Sequence, residues 1–141
     1  MSNAEYLQHK ILAHREKLKR ESDELKAQRA AFEIGAPLLF KHLAGLLDKI
    51  DGVDVTGMSA FDHHPTSKAG WLEIQILDRK ARFVSADQNG QLFLEVTGLF
   101  DRKLDFWLQQ GGKWVANDER SSSTITLSDD LLFTRLAALV P

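Results

Sequence analysis

The stretch WLEIQILDRKARFVSADQNGQLFLEVT, residues 71–97, decides how this chain reads. Asn89-Gly90 is the pair favoured in a two-residue type I′ turn, where both central residues need a positive φ. That turn sets Phe83 opposite Val96 and Ser85 opposite Leu94. A second tight turn at Arg79-Lys80 sets Ile76 opposite Phe83 and Ile74 opposite Ser85. Side chains alternate across a strand, so both hairpins assign the same faces. Leu72, Ile74, Ile76, Phe83, Leu92, Leu94 and Val96 share one face. Trp71, Glu73, Gln75, Arg82, Phe93, Glu95 and Thr97 share the other. An aliphatic face backed by a mixed face is the pattern of an antiparallel sheet covered on one side.

Downstream, Gly111-Gly112 predicts a further hairpin that joins residues 104–110 to residues 113–117. A two-residue turn there puts Leu104, Phe106, Leu108 and Val115 on one side, with Trp107 and Trp114 on the other. Weaker strand signals lie around residues 53–61 and 124–127. Ser128, followed by Asp129-Asp130 and an apolar run, reads as an N-cap, two acids complementing the helix dipole, and a C-terminal helix.

Upstream, residues 4–34 contain neither Pro nor Gly and are rich in strong helix formers, which predicts one long helix. Ala4, Ile11, Leu18, Leu25 and Phe32 recur every seven residues, as the a row of a coiled coil. The d row is mostly polar: Leu7, His14, Glu21 and Gln28. A parallel homodimer would press Glu21 on its copy and Lys10 on Arg15, so the seam suits a hetero or antiparallel pairing better. Gly35-Ala36-Pro37 predicts a kink or tight turn, and Leu39, Leu43, Leu46 and Ile50 predict a second, amphipathic helix.

The expected fold is therefore α+β. It has a long N-terminal helix, a second amphipathic helix, an antiparallel meander of about five to seven strands and a C-terminal helix on one sheet face. Residues 1–34 read as a coiled-coil-like extension and residues 35–141 as the α+β domain.

Composition narrows the function. The 141 residues include no Cys, which excludes a disulfide scaffold, a Cys-ligated metal site and a thiol nucleophile. With 18 Lys+Arg against 20 Asp+Glu there is no global attraction to nucleic acid. No signal-peptide core and no run of about 18 consecutive apolar residues appears, so a cytoplasmic protein without a membrane partner is expected. Asp62-His63-His64 holds ligand-type side chains but not the HxH or HExxH spacing of a metal site. GxxxxGK[ST], GxGxxG and GxSxG are absent, and Asp101, Asp105, Asp118 and Glu119 read as solvated carboxylates. The expectation is no enzyme, no cofactor and no metal.

Two features point to binding. Trp71, Phe93, Trp107 and Trp114 form an aromatic patch on the mixed face, and Leu18 and Leu25 belong to the heptad row; together they are the candidate contacts for a protein partner or for self-association. Arg15, Lys19, Lys26 and Arg29 share a helical flank that would track phosphates in the alternative reading, a nucleic-acid-binding accessory protein. The first reading is a small adaptor, inhibitor or immunity-type protein.

Overall fold

The computed structural model describes residues 2–58, 70–118 and 123–141. It shows an α+β protein: helix α1 (Asn3–Leu47), strands β1 (Val53–Met58), β2 (Trp71–Ile76), β3 (Arg79–Gln88), β4 (Gln91–Thr97), β5 (Leu104–Leu108), β6 (Trp114–Asp118) and β7 (Ser123–Thr126), and helix α2 (Asp129–Ala138). The strands form one antiparallel meander in sequence order.

The Asn-Gly hairpin lies in the expected register, with Phe83 opposite Val96 and Ser85 opposite Leu94. Asn89 and Gly90 both take positive φ, as the mirror-image turn requires. Between β2 and β3 the turn falls at Leu77-Asp78, so Ile74 faces Ala81 and Leu72 faces Phe83. The sequence placed this turn two residues later. That moves every β2–β3 pair by an even number of positions, and the assigned faces survive.

The third hairpin does not survive. Leu108 pairs with Trp114 and Trp107 with Val115, because the loop holds three residues, Gln110-Gly111-Gly112, rather than two. A one-residue slip turns every side chain over. Trp114 therefore lies on the core face, 5% exposed, and meets Phe32 edge-on at 5.5 Å between ring centroids. Val115 takes its place on the outer face.

Gly35-Ala36-Pro37 does not break the helix either. The two expected helices run on as one, with Pro37 inside it. A proline removes one intrahelical donor, and here Phe32, Ala36, Phe40, Leu43 and Leu47 hold the helix against the sheet on both sides of it. Gly35 serves packing: a Cβ there would stand 2.7 Å from Leu108 Cδ2, so the helix backbone lies close to β5. By length and mean hydropathy α1 is also long and apolar enough to cross a bilayer, a test that core helices pass as well.

The core lies between the aliphatic sheet face and the two helices. Leu72, Ile74, Phe83, Leu92, Leu94, Val96, Phe106, Leu132 and Leu136 are buried in it, and among the described residues no polar side chain is. α2 starts as expected, with Ser128 Oγ accepting from the Leu131 N–H at 3.1 Å. Arg135 ties α2 to the loop between β4 and β5 by donating to the Leu99 carbonyl and lying over the Phe100 ring.

Candidate protein-binding surfaces

At 1.5 Å per residue α1 is about 68 Å long, more than the sheet spans. Every residue from Ser2 to Glu24 is exposed. Contact begins at Leu25, whose methyl groups pack over Gly90 at the β3–β4 turn. One turn on, the Gln28 carboxamide donates to the Leu92 carbonyl at 2.7 Å and accepts from the Leu92 N–H at 3.0 Å. β5 pairs with β4 only from Leu94 to Val96, so Gln28 supplies the partner that β5 does not give Leu92. Arg29 adds an ion pair to Asp87 at 3.0 Å and a hydrogen bond to the Gly90 carbonyl at 2.7 Å.

These contacts change the reading of the helix. Leu25 and Gln28 are used inside the molecule, and Gln28, a polar residue in the coiled-coil d row, bonds the backbone of a strand. Arg29 is committed to the hairpin and does not belong to an open basic flank. Arg15, Lys19 and Lys26 stay exposed.

At 100° per residue, Leu7, Ile11 and Leu18 fall on the same helical face as Leu25, Phe32, Ala36, Leu43 and Leu47. The stripe that seats α1 on the sheet thus continues past the sheet's edge with nothing over it among the described residues. Leu7, Ile11 and Leu18 are 58%, 44% and 51% exposed. From His9 to Arg20 the helix carries five Lys/Arg against one Glu, a local +4 in a chain whose net charge is −2.

The outer sheet face is more self-contained than its composition suggests. Phe93 and Trp107 stack at 4.7 Å with 26° between their planes; Phe93 is buried, as is Val115 opposite Trp107. Trp71 is half-buried and stands apart, opposite Val84. Next along the face, Glu95 lies opposite Asp105. Asp105 Oδ1 is buried without a hydrogen-bond partner. Burial pushes its carboxyl above the ordinary 3.8, Lys103 pulls it back, and Glu95 pushes it up further.

Two grooves flank α2, and sequence reasoning pointed to neither because their walls come from distant segments. One, of about 400 Å³, lies between α1, the β5–β6 hairpin and the start of α2, with Leu39, Leu108 and Trp114 in its wall. At its rim His42 Nε2 and Asp129 Oδ1 are 2.8 Å apart, both half-exposed. The other, of about 330 Å³, is walled by Leu47, Ile50, Ile76, Leu77, Phe133 and Val140. No nucleophile stands beside the His42–Asp129 pair within the hydrogen bonds of the described residues: Ser128 Oγ is engaged as the α2 cap. No cluster of metal-ligating side chains occurs among the described residues. Asp62, His63 and His64 lie outside them.

Set against family models, curated proteins and solved structures, the chain matches none. The case for function rests on these surfaces.

Proposed function

We propose that this chain is a small non-enzymatic binding protein, of adaptor, inhibitor or immunity type, that engages a protein partner through the exposed N-terminal half of α1. The observation carrying this reading is the continuity of the apolar stripe: Leu7, Ile11 and Leu18 prolong the row that the domain itself buries from Leu25 onward. A helix that makes no tertiary contact gains nothing from aligned Leu and Ile, whereas a partner segment laid along it would bury them. Arg15 and Lys19 beside the stripe favour a segment with acidic flanks. The half-buried Trp71 and Trp107 on the outer sheet face offer further, separate contacts, while Phe93 is already covered.

The test is affinity capture from the source lysate with wild-type protein and with Ile11→Asp/Leu18→Asp, each with and without nuclease. The reading expects a partner in fixed ratio that resists nuclease and is lost with the double variant. A partner that the variant retains would overturn it. The alternative is nucleic-acid binding through Arg15, Lys19 and Lys26, now without Arg29. It expects nucleic acid in the capture, and a binding constant whose steep fall with salt flattens in Arg15→Glu/Lys19→Glu.

A further inference from the structure

The charges on the exposed half of α1 are sorted by face. With Leu18 set at zero, Leu7, Ile11 and Leu18 lie within roughly 20° of one line along the helix. Lys10 and Lys17 stand roughly 80–100° to one side of that line, and Arg15 and Lys19 roughly 60–100° to the other. Glu5 and Glu16 fall roughly 140–160° away, on the far side. All of these residues are exposed. Arg20 and Glu16 offset each other on the far side, so the local +4 of residues 9–20 stands on the two rims of the apolar line. The rim turns acidic at Glu21, one turn before Leu25 reaches the β3–β4 turn.

The shape of this surface selects among occupants. A single line of Leu7, Ile11 and Leu18, with His14 between them, has the width of a helix–helix seam, whereas a face meant for a broad apolar surface spans about 100° or more. An extended segment finds no backbone partners on a helix, whose N–H and C=O groups are already bonded to one another, and would bring its own unpaired backbone against leucines. A helix arrives with its backbone satisfied. Phosphates of a nucleic acid would meet the four cations but leave the aliphatic line open to water. A second copy of the stripe would set the same four cations against their own kind.

We infer that the occupant of the stripe is an amphipathic α-helix of a different protein, with aliphatic residues along one line and Asp or Glu on both flanks. It packs lengthwise on Leu7, Ile11 and Leu18, its acids facing Lys10 and Lys17 on one side and Arg15 and Lys19 on the other, and its acidic flanks end short of Glu21. This rests on the reading of the stripe as a protein-docking surface and names the chemistry of what docks there.

Two synthetic three-heptad peptides test the assignment, both with leucine along the seam, one with glutamate and the other with lysine at every flanking position. Full-length chain is titrated into each labelled peptide and followed by fluorescence anisotropy, with circular dichroism of the mixtures. The glutamate peptide should bind at least about tenfold more tightly than the lysine peptide, gain helix on binding and weaken as salt is raised. Lys10→Glu/Arg15→Glu/Lys17→Glu should reverse the preference, and Ile11→Asp/Leu18→Asp should bind neither peptide; all five positions are exposed and lie outside the core. Equal binding of the two peptides overturns the inference. So does a preference that the charge variant, folded by circular dichroism, fails to reverse, or binding of the glutamate peptide without a gain in helix. Tighter binding of the chain to phosphatidylglycerol vesicles or to duplex DNA than to the glutamate peptide also overturns it, and gives the surface to lipid or to phosphate. Loss of a captured protein in Ile11→Asp/Leu18→Asp, with the two peptides bound alike, would leave the docking reading standing and remove only the acidic helix. A captured partner that this variant retains would remove both.

Discussion

Gln28→Ala is the sharpest test of how α1 is seated. The carboxamide makes two part-buried hydrogen bonds to the Leu92 backbone, one as donor and one as acceptor. Truncation leaves an N–H and a C=O without protein partners at a point where β5 does not pair. An unsatisfied buried backbone group costs about 1–3 kcal/mol, and partial access of water puts both groups at the low end. Alanine's better helix propensity returns a few tenths of a kcal/mol. The expected net loss is about 2 kcal/mol, equivalent to about 6–8 °C in Tm for a chain of this size. Urea unfolding followed by far-UV circular dichroism measures it, with Glu24→Ala, one turn earlier and exposed, as the control near zero. Gln28→Glu sharpens the result. A carboxylate still accepts from the Leu92 N–H but turns an oxygen toward the Leu92 carbonyl, so at neutral pH this variant should fall below Gln28→Ala. A Gln28→Ala protein within about 0.5 kcal/mol of wild type, or a Gln28→Glu protein as stable as wild type, would refute the reasoning.

Three further outcomes are expected. Trp114→Ala should cost about 3–5 kcal/mol in chemical denaturation because it empties the core beside Phe32, while Trp107→Ala, losing a half-exposed ring and one stack, should cost about 1–2 kcal/mol; equal losses would contradict the register of β6. For Asp105 the folded pKa lies above the unfolded value, so the folded state binds more protons and stability declines as pH rises from about 3.8 through the raised folded pKa. Asp105→Asn should flatten that part of the stability-versus-pH curve, and an unchanged curve would show that the carboxyl is adequately solvated. Leu77→Gly should relieve a left-handed leucine and change stability by about +0.5 to +1 kcal/mol, offset in part by the entropy of glycine; a destabilised variant would mean that Leu77 is packed rather than strained.

The β3–β4 hairpin was fully legible because Asn-Gly admits one turn geometry, and the register of Phe83 on Val96 follows from it. The diglycine at Gly111-Gly112 was legible as a turn but not as a loop length. Two glycines with positive φ fit loops of two or of three residues, and that single residue decides which of Trp107 and Trp114 is core. The Pro37 break failed for a different reason: a local signal worth a few kcal/mol was outweighed by packing on both sides of it. Of the candidate contacts, Leu18, Arg15, Lys19 and Lys26 stand exposed as a sequence periodicity can indicate, whereas the engagement of Leu25 and Arg29 by the hairpin depends on residues about sixty positions away.

Periodicity and turn chemistry by themselves determined the fold class, the aliphatic sheet face, the long first helix and the Ser128 cap, because each is governed by interactions within a few residues of the chain. Tertiary structure alone decided where α1 stops being core and starts being surface. The heptad row looks the same at Leu18 as at Leu25, and only the reach of the sheet separates a buried residue from an exposed one. The groove with its strained Leu77, the His42–Asp129 pair and the Gln28 clamp on Leu92 likewise arise where segments distant in sequence meet, and no local pattern records such meetings.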